Sequence, residues 1–190
     1  MTNSRMPEEA EKVPVWGSDD YMKLEDGKNR FRVLSAPIVW YETWIEEDGK
    51  KKPMRSKTKL EKEPENISIG KYWTQFNKYF WSFIVWNYEK EAIQLLNIDK
   101  KWLLMDLENY LWTEKKADPR DYDITVVKKG EGTDTKYTLL VDDNEPVAKE
   151  ITKEWKKIEA YVDMNIHLDG WFVLKEAREQ AEAADQKEPF

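Results

Sequence analysis

Residues 79–88 (YFWSFIVWNY) constrain the fold of this chain more than any other segment. Eight of the ten side chains are aromatic or β-branched, and their order has no helical periodicity. Such a segment is typical of a buried β-strand, in which successive side chains point to opposite faces. Because a small barrel fills its interior with bulky apolar groups, we expect Trp81 and Phe83 in the core and the face with Ser82 turned outwards. The opposite assignment stays open.

Five predicted strands and one helix follow each other in a recognisable order. Residues 46–75 are predicted to be a long loop with room for a short hairpin. A helix between the third and fourth of five strands is the order of the OB-fold, so the sequence predicts a mainly β protein with a five-stranded OB-fold barrel. The predicted strands are 29–45 with a bend at Pro37, 79–88, 91–98, 122–126 and 137–141, and the helix is 99–113 with Asp99 as its N-cap.

Helical periodicity returns after the last predicted strand. An apolar stripe of Ile151, Trp155 and Ile158 predicts a helix over 148–162, and a second helix is predicted over 171–184. The chain is therefore divided into a flexible N-terminal arm, an OB-fold domain, a helical extension and a flexible acidic tip. Their predicted boundaries are 1–20, 21–145, 146–180 and 181–190.

Composition excludes several classes of function. The chain has no cysteine and a single histidine, His167, which excludes thiol nucleophiles, disulfides and cysteine zinc sites. It also lacks a glycine-rich phosphate loop and any apolar run long enough for a membrane span. We therefore expect a cytosolic protein that is not an enzyme, with no cofactor, no metal and no membrane association.

The net charge of -7 is unevenly distributed along the chain. Residues 142–190 hold 13 acidic and 7 basic side chains, whereas the first 141 residues are nearly neutral. Seven lysines and arginines but only one acid, Glu61, fall within residues 50–62, and aromatic side chains flank this basic run on both sides. Single-stranded nucleic acid requires this combination, because cations follow its phosphates and rings stack on its unpaired bases.

The basic run and its aromatic neighbours predict a set of nucleic-acid-binding residues. Trp40 and Trp44 share a face of the first strand, and the outward face of residues 79–88 supplies three more rings. Arg55 and Lys57 point the same way in an extended segment. The predicted set is Arg32, Trp40, Trp44, Lys50, Lys51, Lys52, Arg55, Lys57, Lys71, Trp73, Phe80, Trp86 and Tyr88.

Other tryptophans have a simpler interpretation. Trp102, Trp112 and Trp155 lie on predicted helices, where packing is the usual role of such a side chain.

Four blocks of sequence carry a resemblance to a known family. They are residues 21–31 (YMKLEDGKNRF), 52–57 (KPMRSK), 79–88 and 118–139 (DPRDYDITVVKKGEGTDTKYTL). In this order they resemble the OB-fold single-stranded DNA-binding proteins of tailed bacteriophages. The resemblance implies coating and protection of single-stranded DNA without sequence preference, during phage DNA replication, recombination and repair in the cytoplasm of the infected bacterium. It leaves open whether the protein is a homo-oligomer.

The C-terminal residues carry a second resemblance. Glu188, Pro189 and Phe190 are similar to the acidic tip by which bacterial and phage single-stranded DNA-binding proteins recruit other proteins. This implies that the tip binds replication or recombination proteins.

An alternative function is a Mg²⁺-dependent nuclease of phage recombination. Asp118, Asp121 and Asp123 form the one acidic cluster suited to this metal. Pro119 and the strand that follows favour a turn at this position instead.

Overall fold

The computed structural model of this protein describes residues 19–70, 76–111, 118–169 and 173–186. Its strands are β1 (Tyr21–Met22), β2 (Gly27–Val33), β3 (Ile38–Glu47), β4 (Lys50–Ser56), β5 (Lys78–Asn87), β6 (Ala92–Ile98), β7 (Asp123–Lys129) and β8 (Lys136–Val141). Its helices are α1 (Lys101–Leu111), α2 (Lys149–Ile158) and α3 (Val173–Asp185). The mainly β class and the helix between the third and fourth predicted strands are therefore confirmed.

The strands form one open mixed sheet, and the five-stranded OB-fold barrel that the sequence predicts is not closed within the described residues. Their order is β1-β6-β5-β2-β7-β8, and β3 pairs with both β4 and β5. Within the described ranges no ladder joins β8 to β1 or β6. Instead, Leu103, Leu104 and Leu107 of α1 enter the core that is shared by β6 and β8, so the helix packs between the two edges.

The N-terminal half of the sheet differs from the prediction in two places. The long strand over 29–45 is divided into β2 and β3 around Pro37, whose missing N–H interrupts a ladder. The predicted long loop contains β4, which pairs antiparallel with β3 from Glu47–Lys50 to Tyr41–Ser56. Asp48 and Gly49 both have positive φ, and Asp-Gly is a preferred pair for a two-residue hairpin turn, so this hairpin was readable from the sequence.

The two faces of β5 belong to two separate cores. Trp81, Phe83 and Val85 lie in the first core with β2, β6, β7 and α1, as the sequence predicts for Trp81 and Phe83. The opposite face was expected to be a solvent-facing groove. Instead, Ile84 on that face is fully buried in the second core.

The second core joins the C-terminal helices to the sheet. The sheet contributes four buried side chains and the C-terminal segment six, which are Leu34, Ile84, Ile93, Leu95, Ile151, Ile158, Met164, Val173, Leu174 and Ala177. Helix α2 lies within the predicted helix over 148–162 and most of α3 lies within the predicted helix over 171–184, and both pack on the sheet. Helix α3 continues to Asp185, inside the predicted tip over 181–190, and residues 187–190 lie outside the described ranges.

The second core predicts that the helices and the sheet unfold together. Leu174→Ala removes a fully buried side chain and should lower the free energy of unfolding by about 2–5 kcal/mol. The measurement is urea denaturation followed by both near-ultraviolet and far-ultraviolet circular dichroism. Leu140→Ala, at a position that is 46% exposed, is the matched control and should change little. Two separate transitions, with only one of them shifted, would contradict a shared fold.

Candidate nucleic-acid interface

The β3–β4 hairpin presents the predicted lysines to solvent. Lys50, Lys51 and Lys52 are exposed on β4, and Lys57 is exposed just beyond it. Lys52 forms an ion pair with Glu47 across the turn. We call this element, with the four lysines, the lysine hairpin. Its cations are placed where phosphates can approach them.

Trp44 and Arg55 lie on the hairpin but are held by one carboxylate. The Trp44 indole N–H donates to Glu42 Oε1 at 2.8 Å, and the Arg55 guanidinium donates to Glu42 Oε2 at 3.2 Å. Only 17% of the Arg55 side chain is exposed. Glu42 therefore compensates the charge of Arg55, which weakens the case for Arg55 as a phosphate ligand.

Trp40 and Phe80 are not available for base stacking. Both are buried, and their ring centroids lie 5.9 Å apart across β3 and β5. The Trp40 indole N–H donates to Ser82 Oγ at 3.0 Å, so its donor is satisfied inside the protein. Neither ring therefore lies in an exposed groove of the kind that the sequence predicts.

Arg32 is also buried, so it is not placed where a phosphate can reach it. It is 3% exposed and forms an ion pair with Asp123 on the neighbouring strand. Its guanidinium also donates to the carbonyl oxygens of Arg120 at 3.3 Å and Glu145 at 2.9 Å. A buried arginine is stable only when its charge and its N–H groups have such partners. The guanidinium of Arg32 is therefore used inside the protein.

Tyr88 and Trp86, the remaining rings of the predicted groove, are half-buried against the second core. The Tyr88 hydroxyl donates to Asp123 Oδ1 at 3.0 Å, and the Arg30 guanidinium lies 4.8 Å from the Tyr88 ring centroid. Burial and the hydrogen bond to Asp123 raise the pKa of Tyr88 to about 12. Both rings contribute mainly to internal packing.

The three aspartates of the alternative nuclease site do not converge. The guanidinium of Arg120 donates to both carboxylate oxygens of Asp118, and these hydrogen bonds lower the pKa of Asp118. Asp123 is buried between Arg30 and Arg32, and Asp121 is exposed. No group of three or more histidine, aspartate or glutamate residues in the described ranges is arranged to hold a metal ion.

Exposed rings that the sequence analysis missed lie at the start of β5 and of α1. Tyr79 is 39% exposed and pairs with Tyr41 of β3, with 5.4 Å between the ring centroids. Lys59 Nζ lies 5.6 Å from the Tyr41 ring centroid. Trp102 is 75% exposed, so its predicted packing role is wrong. We call Tyr41, Tyr79 and Trp102 the aromatic rim.

Cations surround the aromatic rim as well. Lys78 and Lys100 both form ion pairs with Asp99, which ties the start of β5 to the start of α1, and Lys101 is exposed. Because β3 continues five residues beyond its last pair with β5, Glu42–Lys78, the lysine hairpin projects from the same end of the sheet. The rim and the hairpin together form the candidate nucleic-acid interface.

A sequence signal for Trp102 does exist. Leu103, Leu104 and Leu107 form the buried stripe of α1, and Trp102 lies off that stripe. Trp155, in contrast, is half-buried against the second core, which agrees with its predicted packing role. Trp112 and the predicted binding residues Lys71, Trp73, Glu188, Pro189 and Phe190 lie outside the described residues.

Comparison with known proteins adds no relative. No family model matches the chain, and no curated protein or solved structure matches it. None of the helices in the described ranges has the length and apolar character that a membrane span requires. The function is therefore argued from the interface itself.

The ion pairs of Asp99 predict a pH-dependent contribution to stability. Burial acts to raise the pKa of Asp99, but the hydrogen bond and charge of Lys78, with help from Lys100, outweigh it and lower the pKa. A lowered pKa means that the carboxylate stabilises the fold above its ordinary pKa and loses this effect as the pH falls through the folded value. Asp99→Asn should therefore cost roughly 0.2–1 kcal/mol at pH 7 and almost nothing at an acid pH below the lowered pKa of the folded state.

The measurement is urea denaturation of both proteins at the two pH values. Asp106→Asn is the control, since Asp106 is an exposed carboxylate of α1. A stability difference for Asp99→Asn that is as large in acid as at pH 7 would disprove the role of the carboxylate charge.

Proposed function

We propose that this protein binds single-stranded DNA without sequence preference. The observation that carries the proposal is the exposed aromatic rim beside the lysine hairpin. Tyr79 and Trp102 are the exposed rings of the rim. An exposed ring stacks on an unpaired base at about 1–3 kcal/mol, and lysines bind phosphates with release of counterions. A duplex hides its base faces, so it would gain only the phosphate contacts.

The strand order supports an OB-like arrangement for the binding domain. The order β6-β5-β2-β7-β8, with α1 between β6 and β7, is that of a five-stranded OB-fold whose closing ladder is missing. In this fold the loop between the first two strands borders the nucleic-acid site. The lysine hairpin occupies that position here, which agrees with a role in binding.

The C-terminal helices cover the face of β5 that carries Ile84 and Trp86, so the proposed DNA path avoids this face. Six apolar side chains of the C-terminal segment are buried in the second core, and each of the five that are larger than alanine contributes roughly 1.5–3 kcal/mol. Lifting the helices would cost more than the stacking of a few bases would return. The proposed DNA path therefore runs over the hairpin and the rim.

The proposed biological role follows the family resemblance. We propose coating and protection of single-stranded DNA during phage DNA replication, recombination and repair, in the cytoplasm of an infected bacterium. Recruitment of other proteins by Glu188, Pro189 and Phe190 is part of the same proposal. The nuclease alternative has no support from the geometry of Asp118, Asp121 and Asp123.

The test of the proposal is a fluorescence anisotropy titration of labelled oligo(dT) and of a duplex at several salt concentrations, with Mg²⁺ present. We expect tighter binding of oligo(dT), affinity that falls with salt, and no cleavage. Equal affinity for both nucleic acids, or no binding, would reject the proposal, and cleavage of the oligonucleotide would favour the nuclease.

Matched lysine variants show whether the hairpin carries the phosphate contacts. Replacing Lys50, Lys51 and Lys57 by Gln should reduce the slope of log affinity against log salt by about 2, at roughly 0.7 for each lost contact. The control replaces three exposed lysines of α2 by Gln, and it should leave the slope unchanged. These are Lys149, Lys153 and Lys156.

The aromatic rim predicts a separate loss of affinity that salt does not change. Tyr79→Ala and Trp102→Ala should each weaken oligo(dT) binding about 5- to 150-fold, which corresponds to the stacking of one base. Tyr79→Phe keeps the ring and should bind nearly as the unchanged protein does. Leu140→Ala removes an exposed side chain of β8 outside the rim and serves as the control. If both alanine variants bind DNA normally, stacking occurs elsewhere.

A further inference from the structure

An open cavity of about 480 Å³ lies between α2, α3 and the turn that joins β5 to β6. Its size is within the range of ordinary ligand sites. Its apolar lining comes from Trp86, Ile93 and Ile158, with Ala92 and Ala181 beside them. Such a lining accepts an aliphatic or aromatic side chain.

The rim of this cavity is acidic. Glu91, Glu182 and Asp185 line it, and no ion pair within the described part of the chain compensates them. The two cations at the cavity are already engaged, because Lys157 pairs with Glu154 and Arg178 pairs with Asp20. A ligand that enters therefore meets three uncompensated carboxylates over an apolar floor.

The cavity lies at the opposite end of β5 from the candidate nucleic-acid interface. Trp86 is eight residues beyond Lys78 on the same strand, which is about 26 Å at ~3.3 Å per residue. Carboxylates repel phosphates, so this cavity does not extend the DNA path. It requires a ligand of the opposite charge.

We propose that this cavity is a docking site for a segment of a partner protein that carries an arginine or lysine beside an aliphatic or aromatic side chain. The cation pairs with Glu91, Glu182 and Asp185, and the apolar side chain packs against Trp86 and Ile158. A simple polyamine would match the charge but would leave the apolar floor unused. This proposal is independent of DNA binding.

The test uses the full chain and three fluorescein-labelled synthetic peptides. The first is Gly-Ser-Arg-Leu-Trp-Arg-Ser-Gly, the second has Glu in place of both Arg residues, and the third has Ser in place of Leu and Trp. Fluorescence anisotropy should show at least tenfold tighter binding of the first peptide than of either analogue. Equal binding of all three peptides, or no binding of the first, overturns the proposal.

A triple variant, Glu91→Asn with Glu182→Gln and Asp185→Asn, should weaken binding of the first peptide at least tenfold. Glu91 has a φ of 49°, a left-handed conformation that Asn tolerates better than Glu, so loss of folding does not explain the expected weakening. The matched control is Glu61→Gln with Glu63→Gln and Glu65→Gln, which removes the same charge from an exposed loop. Equal losses in the two triple variants would mean a general charge effect and would overturn the site.

Three further measurements test the cavity and its occupant. Ala181→Phe should block the cavity without a change of charge, and normal peptide binding to this variant overturns the site. A chain without residues 1–18 should bind the peptide as the full chain does, and binding only after this deletion would assign the cavity to the N-terminal arm. Self-association that is lost in the cavity triple variant would assign it to a second copy. The cavity triple variant and Ala181→Phe should bind oligo(dT) unchanged, which separates this proposal from the proposed function.

Discussion

Burial of β5 on both faces is the constraint on which the rest of the structure depends. Trp81, Phe83 and Val85 fill one core, while Ile84 and its neighbours hold the C-terminal helices through the other. A strand that is buried in this way has no free face for a ligand along most of its length. Any ligand site on β5 is therefore confined to one of its two ends. The strand begins beside β3 at one end and turns into β6 at the other.

A buried ionic network fixes the path that the chain takes into the second core. Asp123 compensates Arg30 and Arg32, and the guanidinium of Arg32 also donates to the carbonyl oxygen of Glu145. The Glu145 N–H in turn donates to the carbonyl oxygen of Asp121 at 2.8 Å. Removing the Asp123 carboxylate would leave Arg32 as a buried uncompensated charge, at a cost of about 3–5 kcal/mol. The network therefore holds the segment before α2 where the helix can reach the sheet.

Local patterns in the sequence predict much of this fold, because they depend on neighbours within the chain. The alternation of residues 79–88 identifies β5, and the three- and four-residue spacing of apolar side chains identifies α1 and α2. An apolar stripe shows that a helix packs, but it does not show against what. The packing of α2 and α3 on the face of β5 that carries Ile84 is a long-range contact of this kind. For that reason the groove predicted on this face is absent.

The candidate site was predictable only where exposure follows from local rules. Lysines on a hairpin are exposed by default, and Lys50, Lys51 and Lys52 are placed as expected. Tryptophan has no such default, so Trp40 is buried while Trp102 is exposed. Arg32 was misassigned because its partner, Asp123, is 91 residues away in sequence and becomes a neighbour only through the ladder between β2 and β7.

Separation of charge along β5 makes the proposed DNA surface compatible with an acidic protein. The lysine hairpin and the carboxylates of the cavity lie at opposite ends of the strand, on which Lys78 and Trp86 are about 26 Å apart at ~3.3 Å per residue. The Debye length in physiological salt is only about 8 Å, so solvent screens one surface from the other. The net charge of -7 therefore does not set the potential at the hairpin, which depends on the side chains within one screening length of it. Two ligands of opposite charge can then occupy the same small protein without competing.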